Sequence, residues 1–436
     1  MKNILLLMIC FLFIKSNAQE TIYPAKPQQE TIALINATIH IGNGEIIENG
    51  MIVFSKGKIT DVKQTSPIAN AKTIDCKGKH IYPGLITPQS NLGLNEIGST
   101  KSTVDERELG EINSNVRALI AYNSDSKIIA TMRSNGILFA NIIPQGGIIS
   151  GTSSVMQLDA WNWEDAAYKT DAGMHFRVPN LSGARGGRAA FLAQLGIGGG
   201  AANDPLKAAF DRIENVRNFF KEALAYFNEK KHVHTNLKFE ATKPLFNKTQ
   251  NFYLHAETVK EIQIGVEFAK EFGFKTVIIG GTDSWMITDY LKENNVSVIL
   301  GEMHNLPATQ DDDVDQPYKT PFLLQQAGVT FAIGDVDANT KGRNLMFNAG
   351  TAVAYGLTKE QALQSITLSA AKILGIDDRT GSLEKGKDAN IVVSDGDILD
   401  MCTSNVIHAF IQGRSVSLDD KQKQLYEKYK YKYNIK

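Results

Sequence analysis

Apolar positions along the chain fall into distinct textures. Between residues 31 and 62, short runs (Ile32-Ala33-Leu34-Ile35, Ile46-Ile47, Met51-Ile52-Val53-Phe54 and Ile59 to Val62) are broken at Gly42-Asn43-Gly44, Asn49-Gly50 and Lys56-Gly57-Lys58. Short strands separated by Gly-containing turns predict a meander or small sandwich. From about Ile128 onward, strand-like runs alternate with helical patterns. A strand is expected at Ile137 to Ile143 and a helix from Pro205 to Phe227. Then come strand Phe252 to His255, helix Val259 to Phe272 closed by Gly273, strand Lys275 to Ile279, helix Trp285 to Glu293 and strand Val296 to Leu300. Within the second helix, Ile262, Val266, Ala269 and Phe272 share one face while Lys260, Glu261, Glu267, Lys270 and Glu271 stay outside, so its apolar stripe is structural. Strand-helix alternation predicts parallel sheet. After Gly375 the β texture returns at Ala389 to Val393 and Val406 to Ile411. Residues 419 to 436, with six Lys and three acids, are expected to form a solvated helix or frayed end.

Composition narrows the class. A chain of 436 residues with 43% hydrophobic and 21% charged residues is neither disordered, collagen-like nor a disulfide-built miniprotein. Forty-six Lys plus Arg against 47 Asp plus Glu leaves no basic excess for a phosphate backbone, so nucleic acid is not an expected partner. Lys2, the apolar run Ile4 to Ile14 and Ser16-Asn17-Ala18 read as a cleavable signal segment over residues 1–18. Export to the periplasm or outside the cell is therefore expected. No other stretch is long and apolar enough to suggest membrane insertion. Cys76 and Cys402 could pair in an exported protein, but nothing in the sequence brings them close, and the first expectation is two small buried hydrophobes.

Two blocks of sequence carry a family resemblance. Asn49-Gly50 through Ile59, Ile74-Asp75-Cys76-Lys77-Gly78-Lys79 and Tyr82-Pro83-Gly84-Leu85-Ile86 form the first. Ala362-Leu363, Ile366 to Gly375 and Gly381-Ser382-Leu383-Glu384-Lys385-Gly386-Lys387-Asp388-Ala389 form the second. Together, in that order and at a barrel-sized interval, they resemble an amidohydrolase of the imidazolonepropionase-like group. The resemblance implies an α/β fold. A (β/α)8 TIM-like barrel would span residues 83–380, with a small β-sandwich built from residues 19–82 and 381–418 and a charged tail over 419–436. It also implies an active site at the C-terminal ends of the strands and hydrolysis of carbon–nitrogen bonds outside peptide linkages. Zinc or another divalent metal would activate water for that reaction. Partners would be a small-molecule substrate and a second copy of the chain or a homologous subunit.

The chain departs from the pattern where it matters chemically. The family's first strand ends PGLIDxHxH, because two His one residue apart on a strand reach one ion. Here that stretch reads Pro83 to Asn91, with Gln89 and Asn91 in the two His places. Amide oxygens are far poorer zinc ligands than imidazole. The His ending the sixth strand falls on Gly280, the fifth-strand His is matched by His255, and Asp335 or Asp337 stands for the eighth-strand Asp. No bridging Lys can be placed. Alternation puts Glu302 and His304 on one face, so a relocated site of His255, His304, Glu302 and Asp335 or Asp337 is one expectation. A hydrogen-bonded loop role for His304 is the other. His232-Val233-His234 and Asp311-Asp312-Asp313 read as solvated loops. Arg185 and Arg188, in a Gly-rich loop, are candidates for holding an anionic group, beside Gln89 and Asn91 as substrate contacts. Two function classes remain open: a hydrolase with a reduced or relocated metal site, and a non-catalytic barrel that binds a small ligand or supports an active homologous subunit.

Overall fold

A computed structural model describes residues 23–181, 205–307 and 311–435. The expected leader over 1–18 and the candidates Arg185 and Arg188 lie outside the described residues. The chain opens with β1 (Ile32–His40), β2 (Ile46–Ser55), β3 (Lys58–Gln64), β4 (Lys72–Asp75) and β5 (His80–Pro83). The barrel strands are β6 (Leu85–Ser90), β7 (Ile137–Ile142), β8 (Ile149–Gln157), β9 (Ala167–Arg177), β10 (Asn251–Ala256), β11 (Lys275–Gly280), β12 (Ser297–Leu300) and β13 (Phe331–Ile333). The chain then returns to the first layer as β14 (Ile391–Ser394), β15 (Val406–Ile411) and β16 (Arg414–Ser415). Helices that matter below are α1 (Lys127–Ser134), α2 (Pro205–Asn228), α3 (Val259–Phe272), α4 (Leu345–Ala354), α5 (Lys359–Ser365) and α6 (Lys421–Tyr433).

The two chain ends share one sheet in the order β16-β15-β14-β5-β1-β2-β3, with β4 also on β1. Phe54 on β2 and Phe410 on β15 meet edge to face at 5.0 Å, although three strands separate theirs. The sheet therefore curls until its two halves face each other over a core of Leu34, Ile52, Ile81, Ile391, Val393 and Phe410. A single curled sheet thus does the work of the expected small sandwich.

The second sheet runs β13-β12-β11-β10-β9-β8-β7-β6, and Asn91 N–H donating to Val336 O (3.1 Å) brings its two ends together. This is a TIM-like barrel with one exception to parallel pairing: β8 is antiparallel to both β7 and β9. The connection over residues 143–148 is too short for a parallel crossover, which needs a dozen residues or more. It turns at Gly146 and Gly147, both with positive φ (86° and 65°), and a Cβ on Gly147 would sit 2.7 Å from the Gly110 carbonyl oxygen.

Local chemistry explains why the elements begin and end where they do. Helix α3 starts at a capping box, Thr258 with Glu261, and stops at Gly273 in the left-handed region. The helix expected from Trp285 to Glu293 is split into a 3-10 turn, Ser284–Ile287, and a helix, Thr288–Glu293; Ile287 at φ −129° interrupts it, and no side chain caps the second part. Cys76 is buried but Cys402 is exposed, and both are free thiols. The two layers are joined by Asp388, which accepts from Lys58 Nζ (2.6 Å), Tyr168 Oη (2.6 Å) and Arg379 Nη2 (3.2 Å).

Packing leaves no slack behind the centre of the barrel. Gly173 on β9 faces the Tyr253 ring, and a Cβ there would fall 2.0 Å from Tyr253 Cε2. Gly173→Ala should lower the urea midpoint by the equivalent of about 1–3 kcal/mol through overpacking. Gly301→Ala, where a Cβ meets nothing within 4 Å, should leave it unchanged. Equal midpoints for the two variants would contradict this packing.

Candidate active site

The C-terminal ends of the barrel strands gather most of the sequence candidates, but hydrogen bonds distribute them among different partners. Gln89, at the end of β6 and 4% exposed, donates through Nε2 to Leu300 O at the end of β12 (3.3 Å). Asn91 uses both ends of its amide: Oδ1 accepts from Ala338 N–H (3.1 Å) and Nδ2 donates to Glu106 Oε2 (3.2 Å). Both amides are thus engaged within the protein.

His255 on β10 meets a histidine that sequence reading passed over. His175, fully buried on β9, places Nδ1 2.9 Å from His255 Nε2 and stacks on Tyr253 at 4.8 Å. One ring donates and the other accepts. Burial, reinforced by nearby Arg177, holds both imidazoles well below the ordinary histidine range, so the pair stays neutral. His175 Nε2 is buried without a partner among the described residues. Arg177, two positions on and hence on the same face of β9, is the other residue that was missed. Burial pulls its pKa down.

The place of the expected sixth-strand ligand is filled from elsewhere. Gly280 has φ +97°, and a Cβ on it would lie 2.2 Å from Glu257 Oε1. The Glu257 carboxylate accepts from Thr282 Oγ1 (2.6 Å) and Thr282 N–H (3.3 Å). Burial pushes its pKa up against those bonds. A side chain from Gly280 is therefore excluded twice, by backbone conformation and by the Glu257 carboxylate.

Beyond β13 the two aspartates differ in their surroundings. Asp337 accepts from Asn339 and Thr340 N–H and from Thr340 Oγ1, so it caps its own turn. Asp335 is 4% exposed; Oδ1 accepts from Asp337 N–H (2.9 Å), and Oδ2 is buried with no partner among the described residues. Burial, helped by the charges of Glu302 and Asp337, pushes its pKa up to about 6. Glu302 is ion-paired with Lys341. His304 is exposed and shares a hydrogen bond with Thr351 on α4 (2.8 Å). His232 pairs with Glu229 in the connection after α2.

This donor set does not fit the family's zinc. The nitrogens of His175 and His255 stand 2.9 Å apart, closer than the roughly 3.3 Å that separates two tetrahedral ligands at ordinary Zn–N lengths. Among the described residues, no three His, Cys, Asp or Glu side chains converge on a point where one ion could be held.

Comparison with known proteins gives the geometry its kinship. Residues 213–416 match the model of the amidohydrolase family. The imidazolonepropionase of Rhizobium rhizogenes is 26% identical over 390 residues, covering 82% of this chain and 90% of that protein. The imidazolonepropionase of Brucella anthropi is 25% identical, with 80% and 88% covered. The crystal structure of an amidohydrolase from Thermotoga maritima superimposes with a TM-score of 0.75 at 25% identity, covering 88% of this chain and 99% of that one. Fold, both chain-end motifs and these relatives agree that the chain belongs to the amidohydrolase family, in its imidazolonepropionase-like group.

Proposed function

We propose that the chain hydrolyses a carbon–nitrogen bond, outside ordinary peptide linkages, in a small molecule held at the barrel mouth, with the family's metal site largely dismantled. The observation that carries this reading is Asp335. A buried carboxyl group with one oxygen unpartnered and a pKa near 6 is poised to take a proton from water and return it to a leaving nitrogen at neutral pH. In the family, zinc polarises the scissile group when bound. Here Arg177 is a cation at the mouth, and its guanidinium suits an anionic group on the substrate. The neutral His175–His255 pair stiffens the wall between β9 and β10. Export, read from residues 1–18, belongs to the same proposal; the mature protein should appear in the periplasmic or extracellular fraction, and retention in the cytoplasm would refute export.

A second reading rests on Gln89, Asn91 and Gly280: with those residues in the ligand places, the barrel binds a small ligand or supports an active homologous subunit without turnover. Metal content and turnover decide between them. Elemental analysis after exhaustive dialysis, joined to a screen of small cyclic and acyclic amides, should show turnover that added zinc does not raise. About one tightly held ion per chain, with activity lost to chelators, would overturn the dismantled site. No turnover of any amide would favour the binding reading.

Asp335 also makes a pH prediction. As the base, it must be ionised, so kcat/KM should fall as the pH drops through about 6, and Asp335→Asn should remove turnover. Its pKa is raised on folding, so the ionised form costs stability: the cost is absent below the unfolded value near 4 and complete above about 6. Asp335→Asn should therefore be more stable than the parent at pH 8, by up to about 2 kcal/mol. The two should converge near pH 4. A variant less stable at pH 8 would mean that the Asp335 carboxylate is not destabilised by its surroundings.

A further inference from the structure

A cavity of about 530 Å³ lies on the flank of the barrel, away from the mouth, and shares no residue with the site just described. That volume suits a small molecule. Both ends of the described chain converge on it. Residues Tyr23 and Pro24 form one side, α1 a second, and the start of α6 a third. Ser134 Oγ donates to Asp420 Oδ2 (2.5 Å) and Thr131 Oγ1 to Gln422 Oε1 (3.0 Å), holding α6 against α1. Ala25 N–H donates to Asp159 Oδ2 (3.0 Å), holding the first described residues in place.

Charge in the cavity is unevenly spent. Asp159 is saturated by Arg133, Arg414 and Ala25 N–H, and Asp420 by Ser134 and Lys423 N–H. Arg133, 5% exposed, spends Nε on Ser417 O and Nη1 on Leu158 O and Asp159 Oδ1. Among the described residues its Nη2 edge makes no hydrogen bond, and Arg133 lines the cavity. Lys127 and Lys421 line it too, and neither has a carboxylate partner among the described residues. Asp125 and Asp420 have no cation partner among the described residues and offset Lys127 and Lys421, while the single carboxylate of Asp159 serves both Arg133 and Arg414, so the balance left for a ligand is positive. At the opening, Tyr23 (72% exposed) and Trp161 (65% exposed) lie 6.1 Å apart and form an aromatic wall. Exposed rings beside a cavity with an arginine edge in its floor are unusual for a mere packing defect, which would be lined by apolar groups.

We propose that this flank cavity is a second binding site, separate from the barrel mouth, for a small aromatic carboxylate. The ring lies against Trp161 and Tyr23, and the carboxylate reaches the free edge of Arg133 and the ammonium groups of Lys127 and Lys421. Because α6 supplies one wall, the site also gives the Lys- and Tyr-rich tail a role in binding.

Calorimetric titration of the full chain with 4-hydroxyphenylacetate, 4-hydroxybenzyl alcohol and acetate tests both halves of the recognition. The aromatic acid should bind once per chain, with the alcohol and acetate each weaker by about tenfold or more. Trp161→Ala should weaken the acid by about tenfold and Lys421→Ala by about threefold, both at exposed positions that leave the fold intact. Asp335→Asn should leave the affinity unchanged. Equal affinity for the three probes, no saturable binding, or full affinity in the Trp161→Ala, Lys421→Ala double variant would overturn the site. Binding lost in Asp335→Asn but kept in Trp161→Ala would place the acid at the mouth and overturn it as well.

Discussion

The hydrogen bond between His175 and His255 governs what the mouth of this barrel can do. A buried imidazole is tolerated when it is neutral and paired, and each ring supplies that condition for the other. The same bond removes His255 Nε2 from service as a ligand. It also stacks His175 on Tyr253, whose ring is pinned against Gly173. A rigid wall of β9 and β10 follows, with Arg177 carried at its end. The surrounding amides behave alike, with Gln89 and Asn91 fastening β6 to the ends of β12 and β13. Polar groups that would converge on an ion instead hold strand ends together. Asp335 Oδ2 and His175 Nε2 are exceptions, buried polar atoms with no hydrogen-bond partner among the described residues.

A second polar cluster holds the chain ends. Asp159 is buried between Arg133 and Arg414, and the three are joined by side-chain and main-chain bonds to Ala25, Leu158 and Ser417. Buried ion pairs add little net stability because desolvation offsets attraction, yet removing one partner strands a charge at a cost of several kcal/mol. Their value here is positional: the first described residues and the return strand β16 are registered against the barrel flank through one carboxylate, while Arg133 also holds the Ser417 carbonyl ahead of α6. Between the layers, His40 pairs with Glu360 on α5 (2.7 Å) and stacks on Tyr82 (4.5 Å), adding to the joint at Asp388.

How much of this was legible depended on the range of the interaction. Helix α3 is written in local terms, with a cap at Thr258, a stripe at Ile262, Val266 and Ala269, and a stop at Gly273, so its bounds are readable residue by residue. The meander of β1 to β3 is readable for the same reason, since its turns carry their own glycines. Strands β8 and β9 are not. Ser150, Thr152, Ser153 and Ser154 are buried polar residues inside β8, so the alternation that marks a half-buried strand is absent, and His175 and Arg177 go unseen with it. In β9 itself, Gly173, His175 and Arg177 alternate with Met174 and Phe176, a signal that was present but sits between the polar β8 and a Gly-rich stretch.

Glu257 and Gly280 depend on each other. The two residues lie on neighbouring strand ends, and the carboxylate of one occupies the volume a side chain on the other would need. The glycine is therefore a requirement of Glu257 and of the positive φ together, not a simple loss. Thr282 adds two hydrogen bonds that hold the carboxylate in that volume. Restoring a histidine at residue 280 alone would force Glu257 out of a buried, bonded position and leave a charge to be rehoused. The same reasoning applies at Asn91, whose amide would have to release both Glu106 and Ala338. Each of these positions is held by a neighbour that fits it. Histidines introduced at these positions would thus need changes at the supporting residues as well, because such supports orient a side chain as strongly as its own identity does.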